Sequence, residues 1–255
     1  FAGDFLRLFP VPGDSLNKWY NHNTISGLVK TADSAFVENI LIYYIQQVAS
    51  SSQSGDWSSP NQIIDAISLY QEKYAADIIP AVQKQKTETL LNKYDIFSFV
   101  SRYYGILGFI LLIVQFTGIF YRKLNVNVPV KITKVLLFSL FILHTFGLGL
   151  RWYVSGHAPL SNGYEALTYV AWASILAGLI FSRRASITLS ITAILAFLIL
   201  FVAHLGWMDP QITNLAPVLR SYWLIFHVAI ITASYGFLAM GALLAFINLM
   251  LMILE

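Results

Sequence analysis

Leu215–Phe237, LAPVLRSYWLIFHVAIITASYGF, turns at Tyr222 from a polar, proline-marked segment into a long apolar run. A single imidazole interrupts that run, His227, one helical turn beyond Trp223. About 20 consecutive apolar residues are what a hydrocarbon layer of roughly 30 Å demands of an α-helix. An imidazole near the edge of such a helix can reach a ligand in water while the helix stays anchored in lipid. The rest of the chain agrees with a membrane reading.

Hydrophobic residues make up 57% of the 255 residues, charged residues 11%, and mean hydropathy is +0.64. That composition excludes an ordinary soluble globular domain. The net charge of +3 raises the question of nucleic acid, but the charges are segregated. Residues 1–95 hold seven Lys/Arg and ten Asp/Glu, whereas 96–255 hold nine Lys/Arg and three Asp/Glu. The basic excess therefore belongs to the apolar part, where membrane orientation accounts for it. Membrane lipid, and no nucleic acid, is the expected partner. Without cysteine the chain has no disulfide, thiolate ligand or CxxC redox pair of its own. It opens at Phe1 without Met and stops at Glu255 inside an apolar helix, which reads as an internal fragment of a longer protein.

The organisation changes near Asp95. Before it, Pro10–Gly13 and Ser50–Pro60 punctuate a mixed sequence, and apolar residues recur at helical spacing in Phe36–Val48 and Ile63–Ile79. Val82–Tyr94 is more polar and is expected to continue as a helix leading into the membrane. Beyond Asp95, spans are expected near Tyr104–Phe120, Val135–Tyr153, Ala166–Phe181, Ile187–Trp207 and Trp223–Leu254. The expected fold is all-α: a polytopic membrane helix bundle of about five spans (96–255) after a small extracytoplasmic, mainly helical domain (1–95).

Loop charges orient the bundle. Arg122, Lys123, Lys131 and Lys134 follow the first span, and Arg183 and Arg184 follow the third, against Arg151 and Arg220 on the other side. The first side is then cytoplasmic. Residues 1–95 and the loops Arg151–Glu165 and Met208–Ser221 fall outside, with Trp152, Tyr153, Tyr164, Trp207, Tyr222 and Trp223 as an aromatic belt.

The membrane histidines are the candidates for chemistry. His144 lies mid-span on the second helix, seven residues before Arg151 and so on the same face. His204 lies near the outer end of the fourth helix, His157 in the outer loop RWYVSGHAPLSNGYE, and His227 at the start of the fifth. Intramembrane ionisable groups are costly and mark functional paths, or else hydrogen-bond a neighbouring helix. Histidines at matched outer depth on several helices favour a ligand or proton site. Spacing names no metal, since HExxH, Cys/His clusters and paired acids are all missing. Imidazole with aromatic, apolar walls suits haem iron. His22 reads as a plain surface residue, Gly147 and Gly149 as sites of close helix packing, and Tyr235 as a hydrogen-bonding partner for a neighbouring helix.

PVLRSYWLIFHVAIITASYGF resembles the conserved segment of CcsA/ResC-type cytochrome c biogenesis proteins, the system II haem-handling family. Pro217, Leu219, Ser221, Trp223, Leu224, His227, Val228, Ser234 and Tyr235 fill its pattern. RWYVSGHAPLSNGYEAL and HLGWMDPQIT resemble versions fused to a CcsB-like partner. The resemblance covers roughly residues 135–255. It implies that haem b is held at the outer face of the bacterial inner (plasma) membrane and presented for covalent attachment to the CxxCH cysteines of apocytochrome c, as in a cytochrome c haem lyase or synthase. By match, His227 would be the haem-iron axial ligand. Trp223, His157, His204 and His144 are further candidates near a cofactor. The tryptophan-rich WWD loop and the second external histidine of that family are absent here and expected beyond Glu255, so no catalytic residue is assigned. Two alternatives stay open: a haem-b electron-transfer membrane subunit using His144 and His204, and a transporter module using His144, Arg151 and His204 as a polar path.

Overall fold

The computed structural model describes residues 6–14, 18–29, 32–121, 125–183, 187–212 and 221–254, apart from the side chains of 119, 120, 251 and 254. Arg122, Lys123, Arg184, Arg220, Pro217 and Leu219, named above, lie outside the described residues. The chain divides into two compact units, Phe1–Ala81 and Val82–Glu255.

In the first unit a two-residue antiparallel pair, β1 (Phe9–Pro10) and β2 (Trp19–Tyr20), precedes α1 (His22–Ile25), α2 (Ser34–Ser54) and α3 (Ser58–Ala75). The apolar periodicity closes a small core of Phe9, Ile25, Val29, Val37 and Tyr70. The Tyr70 hydroxyl donates to Pro10 O (3.0 Å) and Gln71 Nε2 to Leu8 O (2.9 Å), tying α3 to β1. His22 is not a surface residue: it is half-buried, and its enclosed Nδ1 has no hydrogen-bond partner among the described residues. Asp33 accepts from Lys73 Nζ (2.7 Å) and the Tyr74 hydroxyl (2.5 Å).

The second unit holds α4 (Val82–Tyr94), α5 (Ile96–Phe120), α6 (Asn127–Ser155), α7 (Gly163–Phe181), α8 (Ile187–Ala203) and α9 (Tyr222–Leu254). Four helical stretches are long and apolar enough to cross a membrane: Val82–Gly118, Asn127–Ser155, Gly163–Phe181 and Tyr222–Met250. The fifth apolar helix, α8, has 17 residues. At 1.5 Å per residue that is about 25 Å, somewhat short of a hydrocarbon core. The protein is an integral membrane protein with an all-α, polytopic bundle.

Helix ends follow capping more than hydropathy. Asp95 caps α5 by accepting from Ser98 N (3.4 Å), which starts that helix eight residues earlier than its apolar run suggests. It does so in a left-handed conformation, φ 39°, that an aspartate tolerates better than most side chains. Asn162 Oδ1 accepts from Glu165 N (2.9 Å) and starts α7. α8 stops at Ala203 rather than Trp207. There the His204 ring donates from Nδ1 to Leu200 O (2.6 Å), and Gly206 adopts φ +79°.

Burial against lipid supplies no drive for helices to associate, so close approach of small residues and interhelical hydrogen bonds must. The α7–α8 seam fits that rule, with Ala171, Ala173, Ala177, Ser174, Ser190, Thr192, Ala193 and Ala196 buried between Ile175, Leu189 and Leu200. Its hydroxyls are satisfied: Ser174 donates to Val170 O, Thr192 to Leu189 O, and Ser190 to Gln115 Oε1 (2.8 Å). α9 packs on α7 through Gly236, where an added Cβ would lie 2.9 Å from Ser174 N and 3.0 Å from Val170 O. Gly147 likewise lets α6 meet Ile96 and Phe97, but a Cβ on Gly149 would meet nothing within 4 Å, so among the described residues that glycine makes no close helix contact. Tyr235 has a 56% exposed side chain rather than a place against a neighbouring helix.

Two outcomes follow from these contacts. Gly236→Leu should separate α9 from α7, because the clash is with backbone that cannot rotate away, at a cost of about 1–3 kcal/mol or more; thermal unfolding in detergent would show it. The Lys73 and Tyr74 hydrogen bonds hold the Asp33 carboxyl below its usual range, and the Asp33 bond holds Lys73 above its own. The pair therefore stabilises the first unit between those ranges, losing its effect as pH falls through the depressed Asp33 pKa or rises through the raised Lys73 pKa. Asp33→Asn should flatten the acid limb in a pH-dependent unfolding series.

Candidate functional site

Five segments gather at one end of the second unit: the start of α5, the end of α6, the first turn of α7, the residues after α8 and the first turns of α9. His157, His204 and His227 all lie there, while Gln115 and Ser190 meet at the opposite end. The centre of the cluster is Arg151, the last buried residue of α6.

Arg151 is 4% exposed and its partner Glu165 is fully buried. Arg151 Nε donates to Glu165 Oε1 (2.6 Å), and Nη2 donates to Pro210 O (2.8 Å) and Gln211 O (3.1 Å). Glu165 Oε2 accepts from Ser161 N (2.8 Å) and Ser161 Oγ (2.6 Å). Asn162 Nδ2 adds a bond to Gln211 O (3.2 Å), and the guanidinium lies 5.2 Å from the centroid of the Tyr164 ring. Two charges are affordable in so dry a place because both carboxylate oxygens and two guanidinium nitrogens have partners. The pair binds α6, the loop after it, α7 and the segment after α8 into one knot.

Glu165 was not singled out from the sequence, although a signal for it exists. A guanidinium on the His144 face of an apolar helix needs a counter-charge, and the acids in 96–255 are only Glu165, Asp209 and Glu255.

A chain of rings runs inward from the knot. The Tyr164 hydroxyl lies 3.4 Å from His204 Nε2, and Asp95 Oδ1 lies 3.9 Å from the same nitrogen. Since the Leu200 carbonyl can only accept, His204 Nδ1 carries a proton, and in the neutral ring Nε2 is left to accept from Tyr164. Phe97 meets both Tyr164 (6.2 Å) and His144 (5.7 Å) edge-on. His144 is fully buried, with Tyr104 Oη 3.5 Å from its Nδ1. The Thr168 backbone approaches its ring, yet no described atom completes a hydrogen bond to Nε2. His144 and His204 therefore sit in one cluster, linked through the rings of Phe97 and Tyr164.

His227 stands apart from that cluster. It is exposed on α9 and lines an open cleft of about 560 Å³ with Ser221, Trp223, Leu224, Phe226 and Ile230. Trp223 is 78% exposed. Around the helix, Tyr222, Ile225, Phe226 and Ala229 face a second groove, of about 510 Å³, whose other wall is Trp152, His157, Pro159, Leu160 and Tyr169. His157 thus lies across the groove from α9, its Nδ1 donating to Ala158 O (3.1 Å), and Phe226 lines both recesses. Tyr164, placed by the sequence in the aromatic belt, is buried and meets His204. Among the described residues no three His, Cys, Asp or Glu side chains converge on a metal site.

Residues 160–254 match the cytochrome C assembly protein family. Over its whole length the chain is similar to Protein NrfI of Wolinella succinogenes, 38% identical over 256 residues that make up 28% of that protein. It is also similar to the cytochrome c biogenesis protein CcsA of Prochlorococcus marinus, 31% identical over 150 residues, 57% of this chain and 47% of that one. CcsA of Guillardia theta is 31% identical over 164 residues, 62% of this chain and 54% of that one. The chain spans about a quarter of the first relative and about half of the other two.

Removing one partner of the buried pair should be far worse than removing both. Glu165→Ala leaves an uncompensated guanidinium and should cost about 3–5 kcal/mol, whereas Arg151→Met/Glu165→Leu should recover most of that loss. Chemical or thermal unfolding of the three proteins in detergent measures the difference.

Proposed function

The chain belongs to the CcsA-type cytochrome c biogenesis family, and from that premise we propose that it holds haem at the outer face of the bacterial plasma membrane for attachment to apocytochrome c. The observation that carries the reading is the exposure of His227. Its imidazole is on the surface near the start of α9, in an apolar cleft beside Trp223 and Phe226. Imidazole nitrogen is a good axial donor to haem iron, and apolar, aromatic walls suit a porphyrin face, so the residues present fit the substrate.

In this reading His227 would hold the haem iron, and Trp223, Phe226 and Ile230 would supply the apolar surface beside it. The chain's own contribution is binding and orientation, since fixing one reactant turns a bimolecular encounter into a positioned one. When haem is bound, each CxxCH cysteine of apocytochrome c adds its S–H across a vinyl C=C, forming a thioether with no leaving group. A CcsB-like partner or fused domain completes the assembly, with residues 1–95 on the same extracytoplasmic side. The basic charges of the loops after α5 and α7 support that orientation.

The test is haem content of the full-length protein. His227→Ala should lose the haem absorbance of the purified protein by at least about tenfold, the scale of losing a metal ligand or its support. An unchanged spectrum in that variant would refute the ligand assignment. Haem lost instead in His144→Ala and His204→Ala, with His227→Ala unaffected, would favour an electron-transfer b-haem between those two helices.

A further inference from the structure

The first turns of α9 have little packing of their own. Tyr222 is 77% exposed, Trp223 78% and Phe226 56%, whereas the same helix is tightly seated lower down at Gly236. What borders this loose end is the groove wall formed by Pro159 and Leu160. That wall is held by Ser161, both of whose donors end on Glu165 Oε2. On the chain's approach to α9, the Pro210 and Gln211 carbonyls end on Arg151 Nη2, with Asn162 Nδ2 on Gln211 as well. One buried ion pair thus grips both the loop that forms the groove wall opposite α9 and the Pro210–Gln211 backbone.

We infer that Arg151 and Glu165 are positioning residues for His227, acting through the 157–161 loop, which lines one groove with the first turns of α9. The inference rests on His227 being the haem ligand. A buried ion pair adds little stability over apolar residues of the same volume, but its fork of directional bonds admits one arrangement of the groups it joins. That property matters most where an atom must be placed to within about 0.5 Å, as an axial ligand must be. Neither residue touches the cleft that His227 lines, so both act through backbone they hold.

The experiment uses the full-length protein, with haem per folded protein as the readout and free imidazole as the probe. Arg151→Met/Glu165→Leu removes the directional bonds without burying a lone charge, and Arg151→Lys keeps the charge while losing the fork. Folded yield of the double variant should be preserved. Its haem should fall by about 10–100-fold, the usual penalty for disturbing the support of a metal ligand, and millimolar imidazole should restore the haem spectrum. Arg151→Lys should fall between the double variant and wild type. Wild-type haem content in the folded double variant overturns the inference, and so does a loss that imidazole does not repair. His227→Ala in parallel separates the two ideas. Haem kept in His227→Ala sinks the ligand reading and this inference with it; haem lost there but kept in the double variant sinks the positioning role alone.

Discussion

A guanidinium and a carboxylate, both almost wholly removed from solvent, meet at 2.6 Å where four segments of the membrane unit converge. Arg151 comes from the end of α6 and Glu165 from the first turn of α7, and they also hydrogen-bond Ser161, Pro210 and Gln211. Apolar side chains could fill that volume, but they would allow the loops to slide. Charged groups with fixed bond directions do not, because any displacement strands a donor or an acceptor in a dry site. Through those bonds the pair ties the Ser161–Glu165 turn and the Pro210–Gln211 backbone to the end of α6.

The rest of the unit shows a division of labour. α7 and α8 meet through small residues and satisfied hydroxyls, which is how helices associate where lipid removes the hydrophobic incentive. α9 joins them by one close backbone approach at Gly236 and otherwise keeps a largely exposed apolar surface. The histidines divide in the same way. His144 is packed among Phe97 and Tyr104 in the interior, His204 lies against Tyr164 at the exposed residues after α8, and His227 presents its ring outward from α9.

Much of this was readable before any coordinates. The apolar runs located α5 to α9, and the periodicity of Phe36–Val48 and Ile63–Ile79 located α2 and α3. The family pattern around Trp223 and His227 matched the assembly-protein family over residues 160–254. Boundaries were less readable, because Asp95, Asn162 and His204 end or begin helices by local hydrogen bonds that hydropathy does not register. Glu165 was missed because a lone acid at the end of a loop looks solvated until its partner is known. Gly149 and Tyr235 were misread because a residue's facing depends on which helices surround its own.

The amino-acid sequence by itself determined the membrane class, the helical units and the family to which the chain belongs. Those follow from composition, periodicity and fixed residue patterns, which are local along the chain. Only the tertiary structure decided which buried charges are paired, and that His144 is enclosed whereas His204 and His227 are exposed. Pairing Arg151 with Glu165 and Gln211, or His144 with Tyr104, joins residues 14 to 60 positions apart. Neither hydropathy nor spacing carries information about such meetings; they are fixed when the helices pack and each polar group must find a partner without water.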